Sequence, residues 1–312
     1  MEHRMAKPAA ILAAFALVTS LFSSRVLAAT PDGLGPWADN VVSTAQGLRK
    51  DGSAVPAERS NPDAMLGVAE DDTVSEHFYS LGFGGTATLG FENGISSGVV
   101  VVEATNLGYP TEHLKVEVST NGTTFVDAGT ISQDGEVSVP RGIGCVKWVR
   151  VTDASNPADF VDGSADGYDV DGIEAQGVVC YTDKKMTGGG SVWKSDGTRV
   201  THGMQLNCDA SKSTLEVNWG KGNKFHLENM TAALCTDNPN VESGMPISSF
   251  DTFWGMGEGR LNGVTGYKAE WTFVDAGEPG TKDTARITIY DPSNAVVFIV
   301  DSMLKNGNQQ AH

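Results

Sequence analysis

Residues 112–130 read EHLKVEVSTNGTTFVDAGT. Leu114, Val116 and Val118 alternate with Lys115, Glu117 and Ser119, a period of two that places one row inside and the other in water. Asn121-Gly122 interrupts the run, and Thr124-Phe125-Val126 resumes it. An Asn-Gly pair between alternating segments marks a hairpin, because both residues tolerate the positive φ of a tight turn. This stretch is β-structure, and its neighbours read the same way. SSGVVVVEATN (96–106) is strongly β-branched, VKWVRVTD (146–153) alternates, and GYDVDGIEAQGVV (167–179) follows an acidic loop.

Downstream, RVTHGMQLNCD, STLEVNWG, NKFHLENMTAALC, GYKAEWTFVD, TARITIYD and AVVFIVDSML continue the pattern as far as residue 304. A single helical turn is expected only near Glu228–Leu234. FDTFWGMGEGRLNGVTG (250–266) reads as a glycine-rich loop or bulged hairpin. Many short strands with turn punctuation predict an all-β protein: a jelly-roll β-sandwich followed by a second β-sandwich or small β-barrel. The expected division is 1–29 signal peptide, 30–70 flexible lead-in, 71–183 first domain and 188–312 second domain. Gly188-Gly189-Gly190 would then be linker.

The 312 residues carry 22 bases and 39 acids, a formal charge of −17. An acidic surface disfavours nucleic acid and anionic lipid as partners. The first 29 residues contain Arg4 and Lys7, an apolar stretch from Pro8 to Phe22, and small residues at Leu27-Ala28-Ala29. That is the layout of a cleaved secretory signal rather than of a membrane span. Export makes the four cysteines legible as disulfides. Order along the chain favours Cys145 with Cys180 and Cys208 with Cys235, while zinc is disfavoured by the absence of Cys-x-x-Cys.

The densest chemical signal lies between Asp153 and Glu174, where seven acids occur with no Lys or Arg from residue 151 to 183. Crowded carboxylates repel unless water or a cation neutralises them, and Ca²⁺ takes six to eight hard oxygens. Asp169 and Asp171 are expected on one strand face, Asp162 and Asp166 in the loop before them, and Glu103 at the end of the Val-rich strand, where burial demands a partner. These five are the candidate metal ligands and calcium the candidate cofactor. Glu112 reads as a surface acid. No catalytic residue is assigned, since no His-Glu-x-x-His or other paired-histidine signature occurs and His202 and His226 read as structural. Trp271 belongs in the core. Phe253 and Trp254, beside a glycine-rich stretch, are candidate ligand-contacting aromatics.

The runs FYSLGFGGTATLGF (78–91), VVVVEATN (99–106), YPTEHLKVEVSTNGTTF (109–125), VKWVRVTD and ADGYDVDGIEA (165–175) together resemble a jelly-roll module of secreted and cell-surface bacterial proteins. Its design is similar to galactose-binding-like sandwiches. The resemblance implies a late acid pair, matched by Asp169 and Asp171, and an acid at a strand end, matched by Glu103. An Asp that often precedes that Glu is missing from Ser97-Gly98-Val99-Val100. From Gly188 to His312 the chain resembles an uncharacterised secreted bacterial domain. The expectation is a secreted, extracellular or cell-surface protein, with the periplasm as the alternative. It would be a non-enzymatic, calcium-dependent module engaging a glycan or an extracellular protein surface. A polysaccharide hydrolase and a subunit of a surface assembly, self-associating by edge strands, are the alternatives.

Overall fold

The computed structural model describes residues 36–70, 73–104, 109–177, 179–242 and 246–312; the expected signal peptide lies outside them. The chain is all-β, with nineteen strands and three short 3₁₀ turns among the described residues. The strands are β1 (Asn40–Ala45), β2 (Tyr79–Ser80), β3 (Thr86–Ile95), β4 (Gly98–Glu103), β5 (His113–Ser119), β6 (Val126–Ser132), β7 (Gly135–Ser138), β8 (Val146–Asp153), β9 (Asp169–Gln176) and β10 (Cys180–Tyr181). They continue as β11 (Lys185–Trp193), β12 (Arg199–Asn207), β13 (Thr214–Trp219), β14 (Asn223–Thr236), β15 (Thr252–Leu261), β16 (Val264–Val274), β17 (Thr284–Tyr290), β18 (Val296–Met303) and β19 (Asn306–Ala311).

The first half is a sandwich. One sheet runs β2-β9-β4-β7, and the facing one runs β1-β3-β8-β5-β6. The alternation of 112–130 does what it predicts: Leu114, Val116 and Val118 are fully buried. They join Leu89, Val99, Val101, Val149, Val151, Val170 and Ile173 in one core. β5 and β6 form the expected hairpin. Its turn is wider than two residues, because Asn121 Oδ1 accepts from the amides of Thr123 and Thr124, both at 2.9 Å.

The expected lead-in is built into this sandwich. β1 pairs with β3, Trp37 bridges to Glu174, and Ala38 and Met65 enter the core. From residue 36 onward it is therefore a structural part of the first half.

The second half is one curled meander, β19-β11-β12-β13-β14-β15-β16-β17-β18, around its own core. β18 and β19 adjoin in sequence but do not pair, so the barrel alternative is not realised. Three local expectations are corrected here. Gly188-Gly189-Gly190 is the middle of β11, paired with β12 on one side and β19 on the other. A Cβ at Gly190 would stand 2.4 Å from Asn306 O, so the glycines permit close strands rather than supply a linker. Residues 228–234 are strand, inside β14. The glycine-rich 250–266 is the β15–β16 hairpin, turning at Asn262-Gly263 with φ of 52° and 84°. In β15 the inward glycines make room. A Cβ at Gly255 would lie 2.7 Å from the Trp271 ring and one at Gly259 2.8 Å from Phe225.

The disulfides are Cys145–Cys180 and Cys208–Cys235, as expected, and no cysteine is free. β10 carries Cys180 and pairs with both β3 and β14, so two residues of backbone join the halves into a continuous sheet. Cys145 N donating to Ala233 O and the Arg141–Glu270 ion pair at 3.4 Å add to that seam.

Candidate functional site: an acidic cleft at three strand ends

The end of β4, the start of β5 and the start of β9 meet at one edge of the first sandwich. Each contributes an acid there, Glu103, Glu112 and Asp169 respectively, and the loop between β8 and β9 adds Asp162 and Asp166. With Arg49, Arg59, Phe78 and Tyr109 they line a cleft of roughly 190 Å³.

Glu103 and Glu112 are buried and share a side-chain hydrogen bond, so one of the two carboxyls carries the proton. Burial first, and then its bond to Glu103, push Glu112 far above the ordinary carboxylate range. The Glu103 amide donates to Asp134 Oδ1 at 2.7 Å. Asp169 keeps some surface open to the cleft while its carboxyl is enclosed. Loss of hydration and the neighbouring Asp166 push it up to about 8, against the hydroxyl of Ser80, which donates to it. Asp166 is buried and raised by that burial, although Arg59 Nη1 stands 3.3 Å from it. Arg59 in turn lies over the Phe78 ring, 5.1 Å from its centroid. Tyr109 packs on Phe160 at 5.5 Å, Phe160 on Phe83 at 5.3 Å. Loss of hydration, helped by Glu112, raises the Tyr109 hydroxyl to about 12.

Of the expected ligands, Glu103, Asp166, Asp169 and Asp162 do meet in this cleft. Asp162 sits at its exposed rim, held below the usual range by the Ser164 amide at 2.9 Å. Asp171 does not join them. β9 slips register against β4 between Val102 and Glu103, leaving Asp171 as the extra residue of a bulge. Val170 and Ile173, three apart, therefore both enter the core, and the strict alternation expected of Asp169 and Asp171 is lost. Asp171 instead accepts from the Glu70 amide at 3.3 Å.

Glu112, expected at the surface, is the acid that sequence reasoning missed. It directly precedes β5, one residue before an alternating run that buries its even-numbered members, and it continues that row. Asp153 is a different case. Its carboxylate is saturated by the amides of Gly84 and Tyr168 at 2.9 and 3.0 Å, and it knots the loops behind the cleft.

Among the described residues, no three His, Cys, Asp or Glu side chains converge at metal-ligand spacing. The chemistry of the donor set nevertheless suits a hard divalent cation. The groups are all oxygen, they come from separate segments, and burial, reinforced by neighbouring acids, drives Glu112 and Asp169 toward protonation.

The aromatic pair divides. Phe253 is fully buried in the second core, which corrects the expectation that it contacts ligand. Trp254 points outward to a groove between the halves, its Nε1 donating to Glu270 Oε1 at 3.0 Å. His202 and Trp271 are buried, as expected.

No family model matches the chain, and no curated protein does. Among solved structures it is similar to a truncated AlyQ with CBM32 and alginate lyase domains, at 9% identity over 88% of this chain and 89% of that one, with a TM-score of 0.25. A score that low carries no argument about function. Among the described residues no helix is long and apolar enough to cross a membrane.

Proposed function

We propose that the cleft binds Ca²⁺ and that the protein is an exported, non-enzymatic module whose ordered loops present a surface to a glycan. The carrying observation is the gathering of Glu103, Glu112, Asp166 and Asp169 in one cleft against a single paired cation, Arg59. Like charges brought so close must take up protons or a metal. These four residues would hold the ion. When bound it supplies fixed positive charge, which ties the ends of β4, β5 and β9 to the loop carrying Asp166. Export is supported by the two disulfides, which persist in oxidising surroundings. Trp254, half-exposed in its groove, is a second place where a sugar ring could stack.

The test is a melting curve of the protein in Ca²⁺ and in chelator, repeated for Glu112→Gln combined with Asp169→Asn. Ca²⁺ raises the Tm of the parent and leaves that of the double variant unmoved. An identical Tm in Ca²⁺ and chelator for the parent removes the metal from the proposal.

One observation favours a hydrolase as the second reading. A carboxyl raised to about 8 beside other acids, in an open cleft, has the protonation state of a general acid. Release of reducing ends from a polysaccharide, abolished by Asp169→Asn at unchanged Tm, would favour it. A third reading, self-assembly, is supported by β18, the last strand of the meander. There Val297, Ile299 and Met303 are exposed along one row.

A further inference from the structure

We infer that β19 is an acid-released strap: a proton taken up by His202 detaches residues 306–312 from the second half while the rest of that half stays folded. The inference stands apart from the calcium reading, because every group it uses lies in the second half.

His202, on β12, is buried, and its ring stacks on Phe273 at 5.1 Å. Its cover is Gln309, the one buried residue of β19. The Gln309 amide Nε2 donates to the lone pair of His202 Nε2 at 3.2 Å, so the proton of the neutral ring sits on Nδ1. Nδ1 is buried without a partner among the described residues, and so is Gln309 Oε1. A second proton would set a donor on Nε2 against the donors of the amide. Turning the amide over offers Oε1 to Nε2 and still leaves Nδ1–H bare. An imidazolium so placed needs water.

No charge nearby offsets that cost. Loss of hydration alone holds the ring neutral below its ordinary range. Lys185 of β11 and Arg199 of β12 are exposed. Glu216 of β13 pairs with Lys224 and His226, while Lys268 and Glu270 of β16 bond Asn294 and Trp254 on the outer face. In the loop between β16 and β17, Lys282 is exposed and the three acids are spent on β19 itself. Asp283 and Asp275 accept from the amides of Gln309 and Ala311, each at 2.8 Å, and Glu278 accepts from the side-chain amides of Asn308 and Gln310, also at 2.8 Å. These carboxylates take the place of a strand along the second edge of β19.

Of the elements around His202, β19 is the one that yields. β12, β13 and β16 put Met204, Val217 and Trp271 into the core, and β11 is paired on both sides. β19 is six residues long, terminal, and paired with β11 alone. Lifting it wets His202 at the smallest loss of apolar burial, and local openings follow the least costly route. Asp283 works the other way. Burial raises its carboxyl, so a proton there favours the closed strap, and His202 is the group that pulls it open in acid.

The test is hydrogen–deuterium exchange of the full chain at pH 7 and pH 5, read by mass spectrometry and corrected for the intrinsic pH dependence of exchange. At pH 5 residues 306–311 lose protection by at least about ten-fold while β14 and β15 keep theirs. In His202→Gln the strap exchanges alike at both pH values. His312→Gln, which removes the terminal imidazole bonded to Thr187 Oγ1 at 2.8 Å, keeps the parent's acid response. Unchanged protection of the strap at pH 5, an acid response that survives in His202→Gln, or one lost in His312→Gln overturns the inference. Should His202→Gln not fold, the parent's own profile still decides, since a loss spread evenly from β11 to β19 is global opening and overturns it equally.

Discussion

Two buried titratable groups make the stability of this protein depend on pH in opposite senses. His202 is enclosed in the second core, stacked at 5.1 Å on Phe273, with Gln309 beside its Nε2 and no partner at Nδ1. Burial lowers it to about 4 from 6.5. Between those values the unfolded chain takes a proton that the folded one refuses. Its contribution is therefore whole above pH 6.5 and falls as pH drops toward 4, by up to about 3 kcal/mol. Urea unfolding across that window should show the fall, and His202→Gln should flatten it. Asp169 behaves conversely. Its folded value of about 8 lies above the ordinary 3.8, so in metal-free protein its contribution is present at low pH and is lost as pH rises through 8. Bound Ca²⁺ would lower Asp169 and remove that loss. The gain in Tm on adding Ca²⁺ should therefore be larger at pH 8 than at pH 5, and a gain that shrinks with rising pH would contradict the shared site.

At the level of elements, the hairpin of β15 and β16 turns on Asn262-Gly263, and Gly263 sits at φ 84° with open space around its missing Cβ. Gly263→Ala meets no clash there and costs only the backbone strain, about 1 kcal/mol by the shift of the urea midpoint. Gly94 is the contrary case. A Cβ would lie 2.1 Å from Cys145 Sγ and 2.7 Å from Cys180 Sγ, so Gly94→Ala displaces the bridge and should cost several times more than Gly263→Ala. The same contrast explains what could be read in advance. Alternation sufficed for β5, β8 and β12, whose inward residues carry side chains of their own, apolar in all but His202 and Asp153. It failed for β11 and β15, where the inward or close-packed positions are glycine and the bulk comes from another strand: Trp271, Phe225, or the backbone of β19. Pairing of the cysteines followed chain order. Asp169 was legible beside Glu103, but the bulge that turns Asp171 away arises only when β9 meets β4. Glu112 shares the parity of Leu114, Val116 and Val118, but as an acid just ahead of the strand it read as surface; its partner Glu103 comes from another segment.

For the whole molecule, the two cores are separate sets of residues, Ala38 to Ile173 and Met186 to Leu304, joined by β10 and its flanking contacts. Scanning calorimetry should resolve two transitions, of which Ca²⁺ moves the one that belongs to the first sandwich; a single transition would mean that the seam couples the halves fully. Loss of the Cys145–Cys180 bridge by paired Cys→Ala substitution should lower that same transition by about 2–4 kcal/mol. If β18 serves self-assembly, sedimentation should find dimers that Ile299→Lys abolishes. The seam also bears on how the protein can be dissected. Cys180 is hydrogen-bonded to a strand of each half, and its sulfur reaches back 35 residues to Cys145. A recombinant fragment cut upstream of Cys180 would strand a thiol and bare the margin of β3 around Gly94, while one cut just after Tyr181 would keep the thiol oxidised and expose a two-residue stub where β14 had been. Excision of either half is therefore a choice of which raw margin to cap.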